Sequence, residues 1–364
     1  MMLVAWLNPS HIVKQPMMTT KLLPLATLAV FSILFGYGCC TPSDRPQDSG
    51  KSPGSGESIG KNQEGDAGQL GFDVELTTIS SGYDRKTCWV HPRGGVVPPS
   101  TAVITMQKLL LTGTDVFYAL NEMRTDDLGS TWKGPVRHET LARRHRSDGF
   151  ILCPCDFWPK WHAATGKLLG TGQSAFYNKD NEWKPGFERS SVYSVYDADA
   201  GSWAEWKTIE MPDPKKFRDS GAGCTQRYDL PNGDVLLPFY YFGPETGEGK
   251  IKTGRRVAVM RCKFDGQTLK YVEHGNELIP LAPVGFYEPS LTKFGKKFFL
   301  TIRNETNGYV ATSDDGLNFD EPRPWLYDDG GELGSVSTQQ HWITHSDGLF
   351  LVYTRRGPEN MEVF

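Results

Sequence analysis

Two charged residues on one short hairpin are the first candidates for chemistry in this chain. Within Tyr287–Phe319 (YEPSLTKFGKKFFLTIRNETNGYVATSDDGLNF), Gly295-Lys296 separates two runs of high β-propensity. Gly in the first central position suits a two-residue type II′ turn. With that turn Phe294 pairs with Lys297, and counting outward sets Glu288 opposite Arg303. Cross-strand partners share a face, so carboxylate and guanidinium sit side by side. Pro289, Leu291, Leu300 and Ile302 form the other, apolar face. The pair is either a plain cross-strand salt bridge or part of a site for an anionic ligand.

A second hairpin offers an equivalent arrangement. With Asp347-Gly348 as its turn, Ser346 pairs with Leu349 and Gln340 falls opposite Arg355. If both hairpins are inner strands of propeller blades, they line a central channel. Polar residues then recur around its mouth: Asp156, Gln226 or Arg227, Glu288, Arg303, Gln340 and Arg355. Two arginines facing a carboxylate suit an anionic ligand, because Arg binds carboxylates bidentately. The competing account is a polar channel filled with water and internal ion pairs.

The elements that would hold such a ring are strands. Thr125-Asp126-Asp127-Leu128-Gly129-Ser130-Thr131-Trp132 and Thr312-Ser313-Asp314-Asp315-Gly316-Leu317-Asn318-Phe319 both fit S/T-x-D-x-G-x-x-W/F. In such a turn Asp and Ser/Thr bond backbone amides, Gly takes φ > 0, and the aromatic ring plugs between strands. From Phe72 a β-meander repeats. Its units run from about Arg93 to Pro135, Asp156–Pro212 (with a one-residue-short turn at Asp197–Trp203), Gly223–Pro280, Tyr287–Asp328 and Ser337–Phe364. The third carries an Asn232-Gly233 turn of type I′ character and a remnant turn at Asp265-Gly266. No helical period is sustained, and the repeats predict an all-β fold, a β-propeller.

Composition agrees. The chain has 364 residues, net charge -4, 39 Gly, 10 Trp, 14 Tyr and 19 Phe, the profile of a turn-rich β protein with a large core. No long basic block supports a nucleic-acid partner. From Lys21 the run LLPLATLAVFSILFGYG is apolar and is followed by Cys39-Cys40, an export signal or membrane anchor. Gly36-Tyr37-Gly38-Cys39 looks like a lipobox, which makes Cys39 the lipidation site. Met17 or Met18 would give a shorter n-region as the true start. Residues 1–39 are thus read as a signal peptide and 40–71, rich in Ser, Gly, Pro, Asp and Lys, as a disordered tether. Residues 72–364 form one domain, expected to be monomeric. Cys88, Cys153, Cys155, Cys224 and Cys262 read as buried free thiols, with disulfides still open in an exported protein.

Other residues have bland readings beside sharp ones. Trp158, Trp161 and His162 either stack a sugar or belong to the core. Lys250–Arg256 reads as a solvated basic loop, and Arg143–Arg146 as an anion-binding loop or a charged turn. His341 and His345 lack a metal-like spacing partner, and neither a metal nor a cofactor is expected.

Glu288-Pro289-Ser290 followed by Ile302-Arg303-Asn304, with the two turns above, resembles the E-x-S…R-N segment and the Asp-boxes (BNR repeats) of the sialidase superfamily, and most closely its uncharacterised secreted sialidase-like members. The resemblance covers most of Arg93–Arg355. It implies a six-bladed propeller, which this chain leaves within its fifth blade, so a C-terminal truncation is expected. It also implies roles. Glu288 would polarise a tyrosine nucleophile; Arg303, Arg355 and Arg93 would hold the substrate carboxylate, Arg93 without the usual R-I/L-P context. Asp115, in the loop before the first box, would be the acid/base, with Asp156 on an inner strand as its rival. A tyrosine in a blade after the third arginine has no counterpart, because the chain ends nine residues after Arg355, and Tyr353 does not match its place.

A neutral tyrosine activated by Glu avoids the repulsion between a carboxylate nucleophile and a substrate carboxylate beside the anomeric carbon. The expected protein is therefore an exported, lipid-anchored or secreted glycoside hydrolase that cleaves a terminal acidic, sialic-acid-like sugar. The alternatives are another carbohydrate-active propeller, a lyase or different exo-glycosidase, and a non-catalytic sugar-binding propeller.

Overall fold

The computed structural model describes residues 2–8, 73–111, 115–182, 189–243, 254–280, 285–335, 337–345, 348–356 and 361–363. The apolar run before Cys39, Cys39 itself and the tether fall outside them. Met2–Asn8 pairs antiparallel with Asp73–Ser80.

The described chain is all-β, with four blades of at least four strands and a fifth sheet of three. The first blade runs Thr87–Val97, Thr101–Leu110, Val116–Thr125 and Lys133–Arg137 from axis to rim. Ile151–His162, Lys167–Tyr177 and Ser191–Asp197 lead the second, and Asp234–Phe242, Arg255–Phe264 and Leu269–His274 the third. The innermost segments of that third blade are Ser220–Gly221 and Tyr228–Asp229. The fourth is Tyr287–Phe294, Lys297–Arg303, Gly308–Ser313 and Arg323–Pro324. The fifth sheet is Gln340–His345, Gly348–Arg356 and Met361–Val363, so its hairpin carries a third strand.

Apolar residues on both faces of these strands explain the arrangement, because a sheet with two apolar faces must be covered on each. Phe157, Leu168 and Trp203 of the second blade pack with Val103 and Leu120 of the first. Leu169 and Tyr193 pack with Phe239, Tyr241 and Met260, and Leu236, Val257 and Val259 with Leu291, Leu300 and Ile302. One buried polar cluster between the first two blades is centred on Glu122. Glu122 accepts from Tyr196 Oη and Trp203 Nε1, both at 2.9 Å, and meets His138 Nε2 at 2.9 Å.

The turn chemistry is realised with one shift. At the first turn Asp127 accepts from Thr125 Oγ1 and Thr131 N at 2.7 and 2.9 Å, while Gly129 N donates to Thr125 Oγ1. At the fourth blade Asp315, not Asp314, does this work: it accepts from Ser313 Oγ, Leu317 N and Asn318 N. Asp314 instead pairs with Lys297 at 2.7 Å.

Two registers differ from the outward count. Glu288 does not oppose Arg303; Tyr287 does, because a bulge intervenes between Tyr287 and Ser290. In the fifth sheet His345 pairs with Gly348, so Gln340 faces Tyr353 and not Arg355. Gly348 opens the second strand there instead of sitting in the turn. The slip is two residues, and a period of two leaves each side chain on its expected face.

Candidate active site at the channel mouth

One backbone device recurs on the inner strands. In the first blade Val90 pairs with Gln107 and Arg93 with Thr105, so His91 and Pro92 together face a single residue. Asp156 and Phe157 do the same in the second blade, and Glu288 and Pro289 in the fourth. The first bulge residue is left-handed each time: φ is 52° at His91, 53° at Asp156 and 42° at Glu288. Cys224 and Ser337, on the inner segments of the third and fifth units, share this conformation at 55° and 50°. None is Gly, and such backbone costs about 1–3 kcal/mol per residue. Bulges re-aim side chains and gather next to active sites. Here the three bulges, with Cys224 and Ser337 in the same backbone conformation, contribute five side chains to one ring.

The ring is held by side chains from neighbouring blades. His91 Nδ1 lies 2.6 Å from Asp156 Oδ1, and Gln173 Nε2 donates to Asp156 Oδ2 at 2.7 Å. Gly223 leaves room for Gln173, since any side chain there would run into its amide. Cys224 N donates to Asp156 O. Arg303 Nη1 donates to Glu288 Oε2 at 2.7 Å and Nη2 to Ser337 Oγ at 3.1 Å. Among the described residues the other Glu288 oxygen carries no hydrogen bond, nor does His91 Nε2.

The acids differ in tendency. Burial alone would raise the Asp156 carboxyl, but the charge and hydrogen bond of His91, with Arg93 behind, outweigh it and hold that carboxyl far below the usual range. Asp115 is exposed on its outer side, yet desolvation by the protein around it and then the negative charge of Asp156 push its carboxyl up. Glu288, His91 and Arg303 also act on Asp115 electrostatically. Its loop neighbours 112–114 lie outside the described residues.

A cationic wall stands beside Glu288. Arg303 and Arg255 lie 5.8 and 5.3 Å from the Tyr287 ring, and Arg255 and Arg189 lie 5.5 and 4.4 Å from Tyr240. Arg189 pairs with Asp219 at 2.8 Å. Arg255 has no carboxylate partner among the described residues, and its Nε is buried without a hydrogen bond. Tyr287 Oη donates to Glu305 at 3.0 Å, and Tyr240 Oη to Gln173 at 2.9 Å.

Glu288, Arg303 and Asp156 are thus brought together, and Asp115 lies within their electrostatic reach. Arg93 reaches the axis but is fully buried below the ring. It donates to Gln339 Oε1 at 2.6 Å and packs against Trp158, so no ligand at the mouth touches it. Gln340 is not a ring residue. It is fully buried between blades, accepting from Thr301 and donating to Ser335, and Gln339 takes the axial place. Arg355 pairs with Glu362 along the outer edge of its strand, and its side chain lies outside the described residues. Gln226 and Arg227 are committed elsewhere, Gln226 to the Trp342 backbone and Arg227 to Asp229, Leu169 O and Lys160 O. His162 is buried between Thr165 and Gly233 O, a core residue.

His91, Ser337, Cys224 and Arg255 were not singled out by residue type. Pro92 and Pro289 carried a usable signal, because a proline inside a strand pattern marks an edge or a bulge. Arg255 was hidden in a basic stretch whose other arginine, Arg256, does make an outer pair with Glu277 at 2.9 Å.

No family model and no curated protein matches the chain. Among solved structures it is similar to the Hadza microbial sialidase Hz136, with a TM-score of 0.51 and 12% identity over 73% of this chain and 53% of that one. A Trypanosoma rangeli sialidase in complex with the inhibitor DANA gives 0.50 and 14% over 80% and 48%. A GH43 β-1,3-galactosidase gives 0.48 and 12% over 76% and 90%. The chain spans about half the length of the two sialidases. At such identities the likeness is one of fold, and the fold is a sialidase-like β-propeller.

Proposed function

We propose that the channel mouth is the active site of a glycoside hydrolase acting on an acidic sugar. One observation carries the reading: Asp115, with its carboxyl raised, and Asp156, with its carboxyl lowered, lie in electrostatic reach of each other and of the Arg303–Glu288 pair. A carboxyl kept protonated beside ionised ones lets a site supply an acid, while the Arg303-paired Glu288 is left for the base. Asp115 gives its proton to the leaving glycosidic oxygen as the anomeric C–O bond breaks. Glu288, through its unbonded oxygen, takes the proton of the attacking water. Arg303 orients Glu288, and Arg255 supplies the cation for the substrate carboxylate. Asp156 has both oxygens occupied and serves as a fixed negative charge behind His91. The sialidase structures to which the chain is similar support a carbohydrate ligand of this class.

A second reading rests on His91. Asp156 holds the ring by a 2.6 Å contact to Nδ1, and Nε2, which carries no hydrogen bond among the described residues, acts as the base once it has given up its proton. On a uronate, Nε2 would take the proton beside the carboxylate, a C=C bond would form, and the glycosidic oxygen would leave with the Asp115 proton. Product analysis on sialylated and uronate-containing glycans separates the two. A saturated free sugar supports hydrolysis, an unsaturated uronate supports elimination, and binding without either product leaves a lectin-like propeller.

We also propose export with lipid at Cys39, motivated by the apolar run and the small residues before it. Cys39→Ser should move the protein from the membrane to the soluble exported fraction. Unchanged fractionation would argue against it.

A further inference from the structure

Below the ring the channel is closed and then opens again. Arg93, its bond to Gln339 and the Trp158 ring against it form a floor. Beyond that floor lies a cavity of about 190 Å³, whose walls include Trp158, Lys160, Thr171, Tyr228, Thr292 and Trp342. Lys160 and Thr292 each stand four residues further along the inner strands than Asp156 and Glu288, and the bulge takes up one residue of each span. At roughly 3.3 Å per residue the remaining three are about 10 Å toward the opposite mouth. The Lys160 side chain is 43% exposed, so the cavity opens to solvent on that side. It is separate from the candidate active site.

The polar groups in its wall divide into spent and available. Gln226 exchanges both of its amide bonds with the Trp342 backbone. Arg227 is saturated by Asp229 and two carbonyls. Lys160 donates to Arg227 O at 2.8 Å and sits 3.9 Å from Asp229, which offsets its charge. What remains is the other Lys160 donors and a set of hydroxyls. Thr171 is 1% exposed and its hydroxyl has no partner. The Thr292 and Thr344 hydroxyls bond each other at 2.8 Å, which leaves the pair one hydrogen and spare lone pairs. Thr225 donates to Ala222 O and can still accept. Around these hydroxyls stand the rings of Trp158, Tyr228 and Trp342.

We propose that this cavity is a second, non-catalytic binding site for a neutral monosaccharide or a polyol of that size. Dispersed hydroxyls between aromatic walls match a ring with hydroxyls at its edge and C–H groups on its faces. A cavity of about 150 Å³ takes benzene, so this one takes a single six-membered ring and not a disaccharide. Asp229 beside Lys160 offsets its charge, so the cavity carries no uncompensated cation to select an anionic ligand.

The test uses the full chain and a panel of neutral monosaccharides, with binding followed by calorimetry and tryptophan fluorescence. At least one sugar should bind, in the Glu288→Gln variant as well as in the parent protein. Thr171→Val should weaken it about fivefold, the loss of one hydrogen bond. The same variant should raise the melting temperature of the free protein, because it removes an unpaired buried hydroxyl. Tyr228→Ala provides a second variant, expected to weaken binding at least as much. The proposal is overturned if no neutral sugar binds, if cavity variants bind like the parent, or if Glu288→Gln abolishes binding and Thr171→Val does not. That last result would place the sugar at the upper mouth, whereas failure of the hydrolase reading alone would leave the cavity result standing.

Discussion

His91 and Asp156 stand on the inner strands of adjacent blades, and their side chains meet at 2.6 Å with both backbones in the left-handed bulge conformation. In a regular ladder the two would follow strict alternation, with no extra residue to re-aim them. The bulge turns each toward the mouth, and the pair then gives Asp156 a fixed charge and His91 a fixed orientation. The backbone strain at these positions is part of what builds the site.

Asp115→Asn tests the acid. Activity should fall about 10²–10⁴-fold, the usual worth of a general acid. In the parent protein, activity should decline as pH rises through the raised Asp115 pKa. A raised folded pKa means that the folded state loses stability as pH rises through that window. The Asn variant should therefore be as stable as the parent at neutral pH, or more so. Near-parental activity in a folded Asp115→Asn variant would remove Asp115 from the mechanism.

Asp156 carries the opposite sign. Its folded pKa lies below the unfolded value, so its contribution is present above about pH 4, the ordinary Asp range, and is lost as pH falls toward the folded pKa. Asp156→Asn should cost about 3–5 kcal/mol at pH 7, because it breaks a buried charged pair. It should also flatten the acid limb of a stability–pH curve measured by denaturant unfolding. An unchanged acid limb would mean that the His91 contact does not hold in solution.

Arg303, Arg255 and Arg256 form an internal comparison. Arg303→Ala and Arg255→Ala should weaken an acidic sugar by roughly tenfold or more, about 1.4 kcal/mol each. Arg256→Ala, which removes the partner of Glu277, should leave binding unchanged. Equal effects in all three would disconnect the cationic wall from the ligand.

Asp127→Ala is the structural control. It removes the acceptor for Thr125 Oγ1 and for Thr131 N and Oγ1 in the first turn. The melting temperature should drop by a few degrees, with the kinetic constants of the remaining folded protein unaltered. A selective loss of activity would connect that turn to the site.

Strand periodicity and turn chemistry were enough to make the repeating meander, its hairpins and the Glu288–Arg303 pairing legible, because these depend on residues close in sequence. Gly295-Lys296 does set its hairpin, and Phe294 does face Lys297. Counting outward failed where a residue was inserted: the bulge at Glu288-Pro289 shifts the partner of Arg303 by one, and the ion pair forms by a different route. Gln340 was misassigned for a related reason, since alternation places a side chain on a face but not at the axis. Its neighbour Gln339 reaches Arg93 across the channel while Gln340 bonds Thr301.

Local residue order determined the strands, their turns and which residues carried charge. Which charges meet was decided only when blades were set around an axis. His91 with Asp156, Arg255 with Tyr287, and Thr171 with its cavity are contacts or surroundings contributed by several strands and blades. Their energies depend on burial and on distances across blade boundaries, quantities that no run of neighbouring residues contains.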